Sequence, residues 1–359
     1  MKTSQNKMIF NTKRWLTNAL VLLCIFLPAT SLAEDQRARD ASTLTLYIEN
    51  DSIGIGNTDR YYTHGTKLSW ISQDLSKYRD LVTVPWMHRL IERLPYLNDP
   101  ENQRTVSMSL GQNIYTPEDH QRTDVIKDDR PYAGITYLGL GLHSRNQKHM
   151  DTFELGVGLV GRHSYAEDCQ TWLHQFNHSD YPRGWNNQLH DEPILNLFLE
   201  RKWKTVQVRT TQGFGFDVLP HLGLALGNAY SGAELGGEVR FGWNIPNDFG
   251  THLIRPGSDS SSPLDDTDPR FFRRFHRIGM HVFLAADGKA VARNILFDGN
   301  TFRDSHRVDK EPFVADFIGG IGLIIHQVKI TYSLVYRTKE FETQRDEQCF
   351  GAIAISFTF

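Results

Sequence analysis

Gly351-Ala352-Ile353-Ala354-Ile355-Ser356-Phe357-Thr358-Phe359 closes the chain and decides the reading of the whole. Its apolar side chains alternate to the last residue, with Ile353, Ile355, Phe357 and Phe359 on one side. Period-2 alternation is the mark of a strand with one apolar and one polar face. The same pattern recurs upstream. Val328, Ile330, Tyr332, Leu334 and Tyr336 alternate with Lys329, Thr331, Ser333 and Arg337. Phe313, Ala315, Phe317, Gly319, Ile321, Leu323 and Ile325 share one face, and Ala233, Leu235, Gly237, Val239, Phe241 and Trp243 alternate with Glu234, Gly236, Glu238 and Arg240. In a secreted sandwich the apolar face is the core. In an outer-membrane barrel it meets lipid, and the polar face lines the lumen. Strands this long, ending on a terminal Phe, point to the transmembrane antiparallel barrel.

Composition agrees. The 359 residues are 40% hydrophobic, and mean hydropathy is negative. A helical membrane bundle needs several apolar runs of about 20 residues. With 39 basic against 42 acidic residues there is no basic excess, so nucleic acid is excluded as a partner class. The N-terminus carries Lys2, Lys7, Lys13 and Arg14 before an apolar run from Ala19 to Leu27, then Pro28 and Ser31-Leu32-Ala33. This reads as a signal peptide over residues 1–33, with the barrel domain spanning 34–359. Export permits a disulfide, and the two mature cysteines, Cys169 and Cys349, leave their pairing open.

Twelve strands are expected, at about 43–50, 62–72, 104–113, 133–145, 152–161, 190–203, 205–222, 229–243, 276–287, 313–326, 328–340 and 347–359. An even number brings both ends to the periplasmic side. On this count Trp203-Lys204-Thr205 and His326-Gln327 are tight periplasmic turns. Val84 to Leu97 places Met87, Leu90, Ile91 and Leu94 at helical spacing. It is expected to lie on the inner membrane surface or to plug the barrel end. Residues 246–275, rich in Ser, Asp and Pro, read as a loop.

The chain lacks G-x-S-x-G, H-E-x-x-H and C-x-x-C signatures. What it has is polar clustering just beyond strand ends. Glu49-Asn50-Asp51 is followed by Asp59-Arg60-Tyr61-Tyr62-Thr63-His64-Gly65. Gln112-Asn113-Ile114-Tyr115-Thr116-Pro117 leads to Asp129-Arg130-Pro131-Tyr132-Ala133-Gly134. Gln170 and His174 precede Gly184-Trp185-Asn186-Asn187-Gln188. Strand parity puts all three on one rim, the extracellular one, as expected of a site built from loops on a rigid scaffold. Gln170 and His174, four apart, share a face in a helical turn. A histidine in such a cluster serves as a general base near neutral pH. Asp51, beside Asn50, suits a hard cation such as calcium.

In these motifs the chain resembles the outer-membrane lipid A 3′-O-deacylases, the LpxR family. The resemblance spans the mature chain. It implies a twelve-stranded barrel and a Ca2+-dependent esterase that removes the 3′-O-linked acyloxyacyl group of lipid A, the anchor of lipopolysaccharide, in the outer leaflet of the bacterial outer membrane. The functional residues it implies are His174, Asn50, Thr63 and Gln170 for catalysis, with Asp51 and Asp180 at the metal. His174 would be the base, Gln170 or a carboxylate would orient the water, and Asn50 and Thr63 would donate to the oxyanion. Where some members carry a basic pair, this chain has His120-Gln121-Arg122. Two other classes stand beside this reading: an outer-membrane phospholipase, which needs a Ser close to a His, and a non-enzymatic porin or adhesin.

Overall fold

The computed structural model describes residues 37–359 apart from 55–59, 83, 85–87, 90, 95, 178–179, 252, 256–258 and 272–276. The signal-peptide assignment lies outside the described residues. The strands are β1 (Thr43–Asn50), β2 (Tyr61–Ile71), β3 (Gln103–Thr116), β4 (Ala133–Arg145), β5 (His149–Val160), β6 (Glu192–Trp203), β7 (Val206–Arg209), β8 (Phe214–Gly227), β9 (Tyr230–Trp243), β10 (Ile278–Asn294), β11 (Phe313–Ile325), β12 (Val328–Arg337) and β13 (Gln348–Thr358). Every neighbour pair is antiparallel, β1 pairs with β13, and β6 pairs with β8, so the sheet closes on itself. Closure removes the free edges that lipid cannot satisfy. No helix among the described residues is long and apolar enough to cross a membrane.

Alternation sorts the side chains as expected. Met108, Leu138, Leu195, Leu235, Leu284 and Ile321 stand exposed on the outer wall. Thr45, Lys67, His143, Lys202, Arg240 and Lys329 are buried inside. The terminal strand pairs Ile355 with Leu46 and Ile330, in register with both neighbours.

One turn was misplaced by the sequence reading. Trp203-Lys204-Thr205 does not reverse the chain. Both β6 and β7 pair antiparallel with β8, and the sum of paired numbers changes by one between them (Lys202 with His221, Val206 with Val218). The pair is therefore one barrel strand with an extra residue at the break, which flips the alternation. That flip imitates a turn in a period-2 reading. The chain reverses instead at 210–213, where Gly213 (φ +88°) donates its N–H to the Thr210 carbonyl at 3.0 Å. With β6 and β7 counted as one, the barrel has twelve strands. The His326-Gln327 turn is as expected, with β11 and β12 paired up to Ile325 and Val328.

Residues 244–277 do more than connect β9 to β10. The described residues among them, Asp248, Asp259 and Ser262 included, fold into the lumen from the rim that carries Thr43 and Thr358. Asp248 accepts from Arg240 (2.6 Å) and Lys329 (2.6 Å) of the wall. Lys67 pairs with Asp259 at 3.0 Å, both fully buried. Arg145 donates to the carbonyls of Ser262 and Pro263, each at 3.0 Å. Above this plug a cavity of about 240 Å³ remains, lined by Tyr62, Tyr137, Phe198, Ile254 and Phe297. The 84–97 segment is not the plug. Glu92 donates its N–H to the His88 carbonyl (2.9 Å), and Ile91 and Leu97 bury against Val106 and Leu142 on the outer wall. Pro85, Met87, Leu90 and Pro95 lie outside the described residues.

Candidate active site

The rim opposite the plug carries the polar motifs, and alternation splits the first of them. Glu49 points inward, where it accepts from the Tyr62 hydroxyl (2.8 Å) and the Ile254 N–H (2.5 Å). Asn50 points outward. Its cross-strand partners run His64, then Ile114, then Gly134, so these four form one row across β1 to β4 on the outer wall.

Helix α1 (Ala166–Asn177) lies over the β3–β4 end of that row. Gly134 permits the approach: a Cβ there would sit 2.1 Å from the Ala166 Cβ and 2.4 Å from the Ser164 hydroxyl. Ile114, Tyr132, Ala166 and Trp185 bury together between helix and wall. The Ser164 carbonyl accepts from Gln112 (2.7 Å) and Thr136 (2.7 Å), which ties the start of the helix to the wall. Ala166, Gln170 and His174 are spaced by four, so they share the face turned to the wall, and all three are buried.

The candidate residues therefore stand in two groups along this outer-wall row, one at its β1–β2 end and one at its β3–β4 end. On the strand side, Asn50 caps the short helical turn Asp51–Ile53, accepting from the Ser52 N–H (2.7 Å) and hydroxyl. Its amide donates to the Thr63 carbonyl (2.9 Å) and meets His64 Nδ1 (3.3 Å), which occupies both of its hydrogens. Thr63 is the extra residue of a β-bulge, and its hydroxyl meets that of Thr116 at 2.8 Å. Asp51 is buried. Its Oδ2 accepts from the Arg60 N–H at 2.9 Å, while the Arg60 guanidinium turns away to Glu118 and Asp346.

On the helix side, His174 Nδ1 lies 2.5 Å from the Asp180 carbonyl. A carbonyl only accepts, so Nδ1 carries the proton, and in the neutral ring Nε2 holds the lone pair. Asp180 acts here through its backbone, and its carboxylate is exposed. Gln170 Oε1 accepts from the Trp185 indole N–H at 2.9 Å. Cys169, on the same helix, is a free thiol, pushed up by burial, and Cys349 is free as well.

The oxygen donors at Asp51 and Thr63 fit a hard cation. A second group with ligand-like spacing, Glu200, His221 and Glu234, lies in the lumen. Arg255 bridges its two carboxylates (3.3 and 3.4 Å), and His221 pairs with Asp287 at 2.9 Å. That group is an ion-pair network of the wall and plug. His120, named from the sequence only where some family members carry a basic pair, has its ring centroid 6.4 Å from that of His174, and neither this neighbourhood nor the pairing of Trp185 with Gln170 was foreseen. Trp185 stood in a quoted motif, but no spacing rule connects an indole to an amide fifteen residues away.

The profile of the family described as "Outer membrane protein LpxR" matches residues 18–359. This chain belongs to the LpxR family. Among solved structures, LpxR from Salmonella typhimurium superposes with a TM-score of 0.69 at 17% identity, covering 88% of this chain and 100% of that one. The likeness supports the same barrel fold, and membership of a family of outer-membrane proteins gives the outer membrane as the location. The β domain of the Bordetella autotransporter BrkA (TM-score 0.40, 7% identity, 89% and 99% covered) is far less similar. So is the translocator domain of NalP from Neisseria meningitidis (0.40, 8%, 96% and 98%). No curated relative matches the sequence.

Proposed function

We propose that this LpxR-family protein hydrolyses the 3′-O-linked acyloxyacyl ester of lipid A from the extracellular side of the outer membrane. The observation that carries this reading is the side of the barrel on which the candidate residues stand. Gln170 and His174 are pressed against the outer wall, on the lipid side of the barrel, where a membrane lipid can reach them. The plugged lumen weighs against a porin.

In this reading His174 Nε2 takes a proton from water while the Asp180 carbonyl holds Nδ1–H. The resulting hydroxide adds to the ester carbonyl carbon. The bond from that carbon to the sugar oxygen then breaks, and the proton on His174 passes to the leaving sugar oxygen, giving a free acid and an alcohol. Asp51 would hold a calcium ion, which supplies Lewis-acid polarisation of the carbonyl. Thr63, and Asp180 if its loop turns inward, are the further oxygen candidates.

Mass spectrometry of lipid A from cells with and without the protein tests this. Loss of the mass of the 3′ acyloxyacyl group only in expressing cells is the expected result. An unchanged lipid A spectrum with the barrel present in the outer membrane would reject the assignment.

A further inference from the structure

The Asn50 amide hydrogens are both engaged by Thr63 and His64, so Asn50 is a poor donor for a developing oxyanion. Gln170 is the opposite case. It is 1% exposed, and its Nε2 has no hydrogen-bond partner among the described residues. A buried amide N–H2 without an acceptor costs about 1–3 kcal/mol and is uncommon. The orientation of this amide is fixed by chemistry. An indole N–H can only donate, so the atom 2.9 Å from Trp185 Nε1 must be the carboxamide oxygen. The N–H2 group is thereby forced to the other side. Trp185 is itself locked, packed on Tyr132 with ring centroids 5.1 Å apart. A Cβ at Gly184 would lie 2.3 Å from the Tyr132 ring, so that glycine admits the packing.

We propose that Trp185 is a positioning residue that locks the Gln170 carboxamide with Nε2 turned away from the indole, and that Gln170 Nε2 donates to the oxyanion formed on the ester carbonyl. This rests on the deacylase reading. Gln170 and His174 stand one helical turn apart on the face of α1 that meets the wall, about 6 Å along the axis. One supplies the donor and the other the base on either side of one carbonyl. A preorganised donor of this kind stabilises the transition state more than the ground state, so its loss appears in kcat.

Three variants test the pair, each first checked for the heat-modifiable mobility of a folded barrel. Gln170→Ala should lower kcat about 100-fold with KM little changed. Gln170→Glu can still accept from Trp185 but presents a negative charge to the oxyanion, so it should fall at least as far. Trp185→Phe keeps the ring packing and removes the N–H; it should lower kcat about 10-fold, and lower it no further in the Gln170→Ala background. Near-normal turnover of Gln170→Glu, or an equal loss from Trp185→Phe with Gln170 absent, would overturn the proposal in favour of a purely structural contact. A wild-type barrel that releases no 3′ acyl group at all would instead reject the deacylase reading, and this inference with it.

Discussion

Replacing Asp248 by Ala should loosen the plug and cost the barrel about 3 kcal/mol. Asp248 is fully buried between three cations: Arg240 (2.6 Å), Lys329 (2.6 Å) and Arg270 (3.6 Å). Arg240 retains Asp217 at 2.7 Å, and Arg270 retains its two bonds to Asp268 (2.8 and 2.9 Å). Among the described residues Lys329 keeps the Gly250 carbonyl at 3.4 Å. Breaking a buried pair costs about 3–5 kcal/mol because one charge is left uncompensated. Only one of the three cations is stranded, so the lower end applies. The loss should be read from urea unfolding in detergent micelles, followed by tryptophan fluorescence. Adding Lys329→Met removes the stranded charge and should recover most of it. Acid supplies a second check. Burial alone would raise the Asp248 carboxyl, but Lys329, Arg240 and Arg270 outweigh it and hold it well below the usual carboxylate range. With the folded value below the unfolded one of about 4, this stability is present above about pH 4 and fades as pH falls toward the folded value. The variant should therefore lose less stability than the wild type on acidification. Unchanged unfolding of Asp248→Ala, or no recovery on adding Lys329→Met, would refute the argument.

Three further outcomes are expected. His174→Ala should give a folded, heat-modifiable barrel with deacylation lowered about 100-fold or more, and His174→Gln should do no better because an amide cannot take the proton. His163→Ala serves as the control, since His163 is exposed and paired to Asp191 at 2.6 Å, and it should retain near-normal turnover. Exhaustive chelation should abolish release of the acyl group, with calcium restoring it better than magnesium; full activity after chelation would remove the metal from the account. Gly134→Val should leave the barrel folded but lift α1 off the wall, lowering activity at least 10-fold and making the 161–191 loop protease-sensitive; an intact loop and normal turnover would deny that the close approach of Ala166 matters.

The barrel was legible because one force acts along every strand: lipid outside and polar groups inside impose a two-residue period. The reading failed where that period is interrupted. The break at Lys204-Thr205 shifts Val206 and Val208 to the opposite parity from Leu195 and Leu199, and a local pattern cannot tell a bulge from a reversal. The plug was hidden for a different reason. Asp248, Asp259 and Ser262 look like solvated loop residues, and only their long-range partners Lys329, Lys67 and Arg145 make them interior. The motif around Gly184 and Trp185 could be found in the sequence, while what it does depends on the Tyr132 ring and the Gln170 amide, which the fold alone brings together.

The same alternation explains why a lipid-directed site can exist on a barrel whose lumen is closed. At the end of β1 it sends Glu49 inward, to Tyr62 and the plug residue Ile254, and Asn50 outward, to Thr63 and His64. Adjacent residues thus serve two compartments, one stabilising the plug and the other ordering the outer wall. The outer row of Asn50, His64, Ile114 and Gly134 would face lipid bare if nothing covered it, and polar groups there are costly to leave unsatisfied. Helix α1 covers one end of the row, and Gly134 brings it within van der Waals reach. At the other end of the row Asp51, Thr63 and His64 are buried as well. Among the described residues of this face the buried Gln170 Nε2 has no partner within the protein, and it is the atom to which substrate is expected to bring the missing acceptor.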